Sequence, residues 1–378
     1  MNRSFVAARR WPWGVLAVIV GGWLWGGLTW VQPAGADDAP APRTPREGAP
    51  AAVAPAEPAA PVRTPAEWVR EMESGDDQRI AAATAALEAL GPRASAVVPD
   101  LIRLLERDEA AHRRHVLAIL RALGPAGKEA LPAVRAKLFH ADFHVQYWAC
   151  RALAAMGGHA AAATGDLRQL LAPEFPASTR RNAALALGRI AAPDDPATVE
   201  ALIGALRDRN HPVRVEAAVA LGALGKQAQT AVPELRTALV DRRRDVRVPA
   251  AQALWRITAE AGPLLPVLVD EIAQGSLPWE AAALFVELGE AGGPAVGQIT
   301  PLLKNENPEV RRSAVEALGN IGVPARSAQT AVARLLQDEE PEVVEAAQEA
   351  LRKMSAPTPR SPPAPRSVEP AEKPASRP

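Results

Sequence analysis

Histidine is the residue type in this chain most suggestive of catalysis or metal binding. Five of the six histidines lie in two neighbouring stretches, at His112, His115, His140, His144 and His159. The four-residue spacing of His140 and His144 would suit a shared metal ion if that segment were helical. No carboxylate accompanies them in a recognised spacing, and neither an HExxH motif nor a His-Glu dipeptide occurs. The pattern favours solvated or helix-capping histidines, leaves His112, His140 and His144 as weak metal candidates, and predicts no cofactor.

The other reactive side chain is a single cysteine, Cys150. One cysteine excludes a disulfide framework, a redox pair and a cysteine-based zinc site. Because it stands beside Ala149 in a helical pattern, we expect a buried structural thiol.

Charged residues are balanced in total but not along the chain. The 43 Lys and Arg equal the 43 Asp and Glu, which gives no support to a dedicated nucleic-acid binder. Residues 107–191 carry twelve basic and six acidic side chains, whereas residues 259–355 carry seven basic and fifteen acidic ones. The neutral total therefore combines a basic region with an acidic one.

The elements that must position these residues form a repeat. Small or polar residues recur 31 to 34 residues apart and close each unit, at Gly91, Gly124, Gly157, Ala191, Gly225, Thr258, Gly289, Gly322 and Ser355. An apolar residue stands one before each closing position, Leu or Phe four before, and Ala or Val eight before. This spacing marks one face of a helix, and the small side chains allow neighbouring helices to approach closely.

Another helix is predicted to precede each of these, as in the segments 97–108, 130–139, 230–241 and 327–338, with proline near its start in several repeats. Gly-Pro pairs, at 91–92, 124–125, 262–263 and 293–294, are predicted to end one helix and turn the chain. No stretch alternates with the period of a strand. The prediction is an all-α solenoid of about nine stacked helical hairpins over residues 65–355.

This repeat resembles the HEAT-repeat family, especially the short bacterial form also found in phycobilin lyases. The segment DRNHPVRVEAAVALGALG (208–225) carries the resemblance best, and NENPEVRRSAVEALGNIG (305–322) and DEEPEVVEAAQEALRKM (338–354) are similar to it. Neither an ankyrin TPLH signature nor a tetratricopeptide pattern occurs. The resemblance implies an Asp–Arg ladder along the stack. Its members would be Arg113, Arg180, Arg214, Arg247, Arg311, Asp208, Asp241 and Asp338, with Asn305 at an equivalent turn.

The resemblance also implies that the second helices line the concave face. Arginine and aromatic residues are typical anchors of protein interfaces, and in repeats two to four they would project near one another. This predicted binding surface comprises Arg114, Arg121, Tyr147, Trp148, Arg151, Arg181 and Arg189. A separate acidic surface is expected in repeats seven to nine. Repeat seven is short, and Pro278 replaces the usual arginine, so irregular stacking is expected there.

The segments outside the repeats point to export. Residues 37–64 and 356–378 are rich in proline and alanine, and are predicted to be disordered spacers. Residues 1–36 combine a basic start, an apolar stretch at 14–31 and small residues at Ala34 and Ala36, the order of a secretory signal. The chain is either cleaved after Ala36 or anchored in the membrane by residues 14–31. Both alternatives place the repeats in the periplasm or at the cell surface.

The sequence therefore predicts a non-enzymatic, exported protein-interaction scaffold that binds an anionic protein or polymer on its concave face. Two alternatives stay open. One is a metal- or cofactor-dependent, lyase-like enzyme that uses the histidines of repeats two and three. The other is an architectural spacer of the cell envelope. Export argues against nucleic acid as a partner.

Overall fold

The fold is described by a computed structural model over residues 63–107, 110–190, 195–275 and 278–355. These residues form α-helices and 3-10 helices and contain no strand, which confirms the predicted all-α solenoid. The first helices of its nine hairpins are α1 (Pro65–Met72), α3 (Val98–Glu106), α5 (Leu131–Arg135), α7 (Thr164–Gln169), α9 (Pro196–Ala205), α11 (Val232–Ala238), α13 (Leu265–Gln274), α15 (Val296–Ile299) and α17 (Gln329–Arg334). The second helices are α2 (Asp77–Leu90), α4 (Ala110–Leu123), α6 (Phe143–Met156), α8 (Ala177–Ile190), α10 (His211–Leu224), α12 (Arg244–Thr258), α14 (Pro278–Leu288), α16 (Pro308–Ile321) and α18 (Pro341–Ser355).

Polar side chains fix where several helices begin. Asp76 accepts hydrogen bonds from the first backbone N–H groups of α2, and Asp142 does the same for α6. At α1 the Thr64 hydroxyl and the Glu67 carboxylate each accept from the other residue's backbone N–H, which forms a capping box. These caps satisfy donors that have no partner within the helix.

Short 3-10 segments connect one hairpin to the next, a feature that the sequence did not predict. They are Gly91–Val97, Gly124–Ala130, Gly157–Ala163, Gly225–Ala231, Gly289–Ala295 and Val323–Ala328, and two more, Thr300–Lys304 and Leu335–Gln337, follow α15 and α17. The first residue of most linkers is a glycine with positive φ, such as Gly91 at 52° and Gly124 at 56°. Because only glycine adopts this region at little cost, it ends the preceding α-helix.

Two predicted helix ends are wrong. The pair Gly262-Pro263 lies in the turn that follows α12, which already ends at Thr258, where Ala259 takes a φ of 57°. The pair Gly293-Pro294 does not end a helix, because α14 already ends at Leu288, where Gly289 takes a φ of 50°. Gly293 and Pro294 instead lie inside the following 3-10 segment. Proline fits there because the 3-10 turns are short and its φ is compatible with them.

Successive second helices pack side by side from α2 to α18 and bury the residues that repeat in the sequence. The alanine or valine eight before each closing residue is fully buried in all nine repeats. The leucine or phenylalanine four before is buried in the first eight. One continuous apolar core extends from Val69 to Met354. Each hairpin thus buries its apolar face against its neighbours as well as between its own two helices.

Within the described residues, no helix has both the length and the apolar content needed to cross a membrane. The predicted signal or anchor at 1–36, the linker up to residue 62 and the tail at 356–378 lie outside those residues. The first described helix begins at Pro65 and the last ends at Ser355.

Candidate binding surface and arginine ladder

Arginines of the second helices join neighbouring repeats through two-pronged ion pairs. The Arg214 Nε and Nη2 atoms donate to the Asp241 carboxylate of the next repeat at 2.8 and 2.7 Å. Its Nη1 donates to the Asp208 carbonyl of its own repeat at 2.8 Å. Arg180 pairs with Asp208 in the same way, at 2.6 and 2.8 Å, and Arg311 with Asp338, at 2.8 and 2.7 Å. Each guanidinium therefore bonds a backbone carbonyl in its own turn and the aspartate of the following turn.

The ladder carboxylates are held in their ionised form. Burial is the largest single influence on Asp208 and Asp241 and opposes their ionisation. Hydrogen bonds from Arg180 and Arg214, backbone N–H donors and the nearby positive charges together outweigh burial and lower the pKa of each. At Asp338 the hydrogen bond from Arg311 is the largest influence and again lowers the pKa. Each ladder carboxylate also accepts a backbone N–H two residues later, as from Asn210 to Asp208 at 2.8 Å. The carboxylate thus closes the turn as well as binding the arginine.

Two rungs of the ladder differ. Arg247 donates to the Asp241 carbonyl of its own turn at 2.8 Å, but its carboxylate partner is Glu271 on α13, at 3.0 Å, rather than an aspartate of the next turn. The Glu271 side chain is fully buried. Arg113 lies 3.0 Å from the His140 Nε2 atom, and the His140 Nδ1 atom accepts the Asp142 backbone N–H at 3.0 Å. His140 thus occupies the place that Asp208 holds in a regular rung.

The helical metal-site geometry considered for His140 and His144 is wrong. Helix α6 begins at Phe143 because Asp142 caps it, so His140 lies in the preceding turn. The His144 side chain is 88% exposed and contacts Asp142, whereas His112 is buried, with Nε2 2.7 Å from the Met72 carbonyl. No group of three or more potential ligands occurs within the residues that the structure describes.

Cys150 is completely buried in α6. Burial raises the pKa of its thiol to about 12, so the thiolate is not populated near neutral pH. His115, on α4, is half-buried, and burial followed by repulsion from Arg114 lowers its pKa. Among the residues that the structure describes, neither side chain is paired with a group that would activate it.

Four residues of the predicted binding surface form one cluster across α4 and α6. The rings of Tyr147 and Trp148 meet edge to face with centroids 5.3 Å apart. The Arg121 guanidinium lies 5.8 Å from the Trp148 ring, and that of Arg151 lies 5.6 Å from the Tyr147 ring. Cation–π contacts of this kind hold the arginines in place without neutralising them. We call these four residues the aromatic–arginine cluster.

The other three residues of the predicted surface, Arg114, Arg181 and Arg189, make none of these ring contacts within the described residues. Arg181 donates to Glu216 of α10 at 3.0 and 3.1 Å, so it is already paired. Arg114 and Arg189 are exposed, and neither has an acidic partner among the described residues. Within the cluster, Arg121 pairs with Glu88 at 3.1 Å, but Arg151 has no such partner in the described part of the chain.

Sequence reasoning missed an apolar stripe on α14. Trp279 is 52% exposed and Val286 66% exposed, and the exposed Ala283 lies between them. The three residues are spaced i, i+4 and i+7, so they share one helix face. The opposite face, with Ala281 and Phe285, is buried. The signal in the sequence is that α14 carries apolar residues on both of its faces, so one of these faces is left exposed when the other packs in the core.

The nine stacked hairpins and their arginine ladder define an α-solenoid. Models of HEAT repeats match residues 98–172, 164–255 and 265–362, which is more than half of the chain. The chain therefore belongs to the HEAT-repeat family, whose members are typical protein-interaction scaffolds. No curated protein matches the chain. The crystal structure of an engineered protein is similar, with 22% identity and a TM-score of 0.41 over 77% of this chain and 88% of that one.

Proposed function

We propose that this chain is a non-enzymatic, exported scaffold that binds an anionic protein through the second helices of repeats two to four. The aromatic–arginine cluster carries this proposal. Two aromatic rings and two guanidinium groups lie together there, and Arg151 has no carboxylate partner within the described residues. Aromatic and arginine side chains are the residues that most often dominate binding energy.

The surroundings of the cluster support an anionic partner. Arg114 and Arg189 are exposed on the neighbouring helices α4 and α8 and also have no acidic partner in the described part of the chain. Their charges are available to attract a carboxylate-rich surface. Exposed charges of this kind accelerate association and make it sensitive to salt.

The proposal is tested by charge reversal. Immobilised poly-glutamate serves as a defined anionic probe, and the full chain carries Arg114→Glu, Arg151→Glu and Arg189→Glu. We expect the apparent affinity to fall at least about tenfold, and the wild-type affinity to fall as salt rises from low to physiological concentration. Proteins captured from envelope extracts are compared in parallel.

A matched control separates the surface from net charge. Arg93, Arg209 and Arg242 are also exposed, and reversing all three to Glu changes the net charge equally. We expect this control to retain most of the binding. Equal losses in the two triple variants would contradict a localised surface, and unchanged binding in both would contradict an anionic partner.

Export is proposed from residues 1–36, whose order of basic, apolar and small residues is that of a secretory signal. Fusing residues 1–64 to a phosphatase that is active only outside the cytoplasm tests it. We expect activity from the fusion, and we expect replacement of Val18 and Ile19 by Asp to abolish it. A fusion that is stable but inactive would contradict export. Carbonate extraction then separates a cleaved signal from a membrane anchor.

A further inference from the structure

The apolar stripe of α14 has the features of an unoccupied docking site. Trp279, Ala283 and Val286 are exposed along one side of an otherwise buried helix. The exposed Glu290 follows at the carboxyl end of the stripe, and it has no basic partner among the described residues. An exposed tryptophan beside an unpaired carboxylate suits a ligand that is apolar and basic at once.

The charge around the stripe narrows the class of ligand. Residues 259–355 carry seven basic and fifteen acidic side chains. On α16, Glu316 holds the position of Ala283 and Arg312 that of Trp279, and the two side chains pair at 3.6 Å, so the exposed Glu290 is the acidic group beside the stripe that has no basic partner among the described residues. A basic segment would be attracted to this region, whereas the anionic partner proposed for repeats two to four would be repelled.

The chain itself supplies a segment of the required chemistry. Residues 356–366 read APTPRSPPAPR and contain five prolines, two arginines and no acid. Proline-rich segments favour the polyproline II helix, and they bind grooves lined by aromatic side chains because little conformational entropy is lost. Arg360 and Arg366 flank the central prolines. Arg360 would match the unpaired carboxylate of Glu290 at the end of the stripe.

The tail is also long enough and starts in the right place. It follows Ser355, at the end of α18, and α18 is separated from α14 by α16 alone. At 8–10 Å between packed helices the lateral distance is about 20 Å. A polyproline II segment rises about 3.1 Å per residue, so about seven residues reach Val286 and three or four more reach Trp279. The segment that would lie on the stripe is therefore about 359–366.

From the exposed stripe, the unpaired Glu290 at its end and this reach, we propose that the carboxyl-terminal segment 359–366 docks on α14 of the same chain. Its prolines pack against Trp279 and Val286, and Arg360 pairs with Glu290. This surface is separate from the aromatic–arginine cluster, so either surface can exist without the other.

Disulfide trapping in the full chain tests the contact. Ser361→Cys is combined with Val286→Cys, and the protein is oxidised with oxidised glutathione. Val286 is 66% exposed, so the substitution leaves the core intact. Cys150 does not interfere, because it is completely buried and its thiol has a pKa of about 12. We expect an intramolecular disulfide, seen as a mass change in the monomer, and we expect Trp279→Ala to slow its formation about fivefold or more.

The matched control pairs Ser361→Cys with Gln298→Cys. Gln298 is exposed on α15, a first helix that lies one repeat nearer to the tail. A tail without a preferred site would reach it at least as fast, so we expect the Val286 pair to close about five times faster. Equal rates would overturn the proposal. Disulfide-linked dimers as the main product would also overturn it, because they would assign the stripe to the tail of a second copy.

Discussion

At the scale of single residues, each arginine of a regular rung of the ladder holds two turns in place, the turn of its own repeat and that of the next. The Arg214 side chain is only 7% exposed, yet its charge is paired with Asp241 and its Nη1 atom donates to the Asp208 carbonyl. A buried charge is tolerated only when it is paired and hydrogen-bonded in this way. The cost of losing one partner should therefore exceed that of losing a surface ion pair.

Arg214→Ala tests this difference. The substitution leaves the Asp241 carboxylate without the guanidinium that lowers its pKa, and it leaves the Asp208 carbonyl without a donor. We expect the free energy of unfolding to fall by about 3 kcal/mol in urea denaturation. Arg207→Ala, which removes an exposed pair with Glu234, should change it little. Similar losses in the two variants would show that burial of the rung is unimportant.

His140 is the residue at which the ladder is chemically mismatched. Arg113 and the Asp142 backbone N–H are both donors, and they contact the two different ring nitrogens of His140. A neutral imidazole accepts at only one nitrogen, whereas a carboxylate accepts at both oxygens. We therefore expect His140→Asp to raise the free energy of unfolding by about 1 kcal/mol. The exposed His159→Asp serves as the control, and equal effects or a destabilised His140→Asp would contradict the assignment of His140 to the ladder.

At the scale of helices, glycine sets how closely some second helices approach. A Cβ atom added to Gly188 of α8 would lie 2.7 Å from the Ala220 Cα atom of α10. One added to Gly319 of α16 would lie 2.8 Å from the Ala350 Cα atom of α18. These distances are too short for contact with backbone, so the helices would have to separate. The glycines therefore have a packing role that outweighs their low helix propensity.

Two glycine substitutions distinguish packing from propensity. Gly204 of α9 has no atom within 4 Å of an added Cβ, so Gly204→Ala should stabilise by up to about 1 kcal/mol through helix propensity alone. Gly188→Ala gains the same propensity but forces α8 away from α10, and we expect net destabilisation by about 1–3 kcal/mol. Thermal unfolding of both variants measures the two effects. A gain in both would mean that the helices separate at no cost.

The helices themselves were predictable from sequence because each repeats the same apolar spacing. The positions four and eight before each closing residue were placed on the buried face, and they are buried there in nearly every repeat. The 3-10 linkers were not predictable, since periodicity does not separate a tight helix from an α-helix over seven residues. The pairing of Arg181 with Glu216, 35 residues later, could not be found either, because it depends on helix rotation within the stack.

At the scale of the whole molecule, the described repeats share one core and divide their charge. The core runs without a break from Val69 to Met354, so each hairpin is supported by the hairpins on either side. The aromatic–arginine cluster belongs to the basic part, and the stripe of α14 belongs to the acidic part. In a stack of this kind, stability is the sum of repeat terms and neighbour terms, so position along the stack decides how far a defect spreads.

Two core substitutions test this dependence on position. Leu221 in α10 and Met354 in α18 are both completely buried, and truncating each to Ala leaves a cavity that costs about 2–5 kcal/mol. Because α10 packs against both α8 and α12, we expect Leu221→Ala to speed amide hydrogen exchange in repeats on both sides. Helix α18 has a neighbour on one side only among the described helices, so Met354→Ala should speed exchange in repeats eight and nine while α4 and α6 keep their protection. Equal loss of protection along the stack in both variants would mean that the repeats unfold as a single unit.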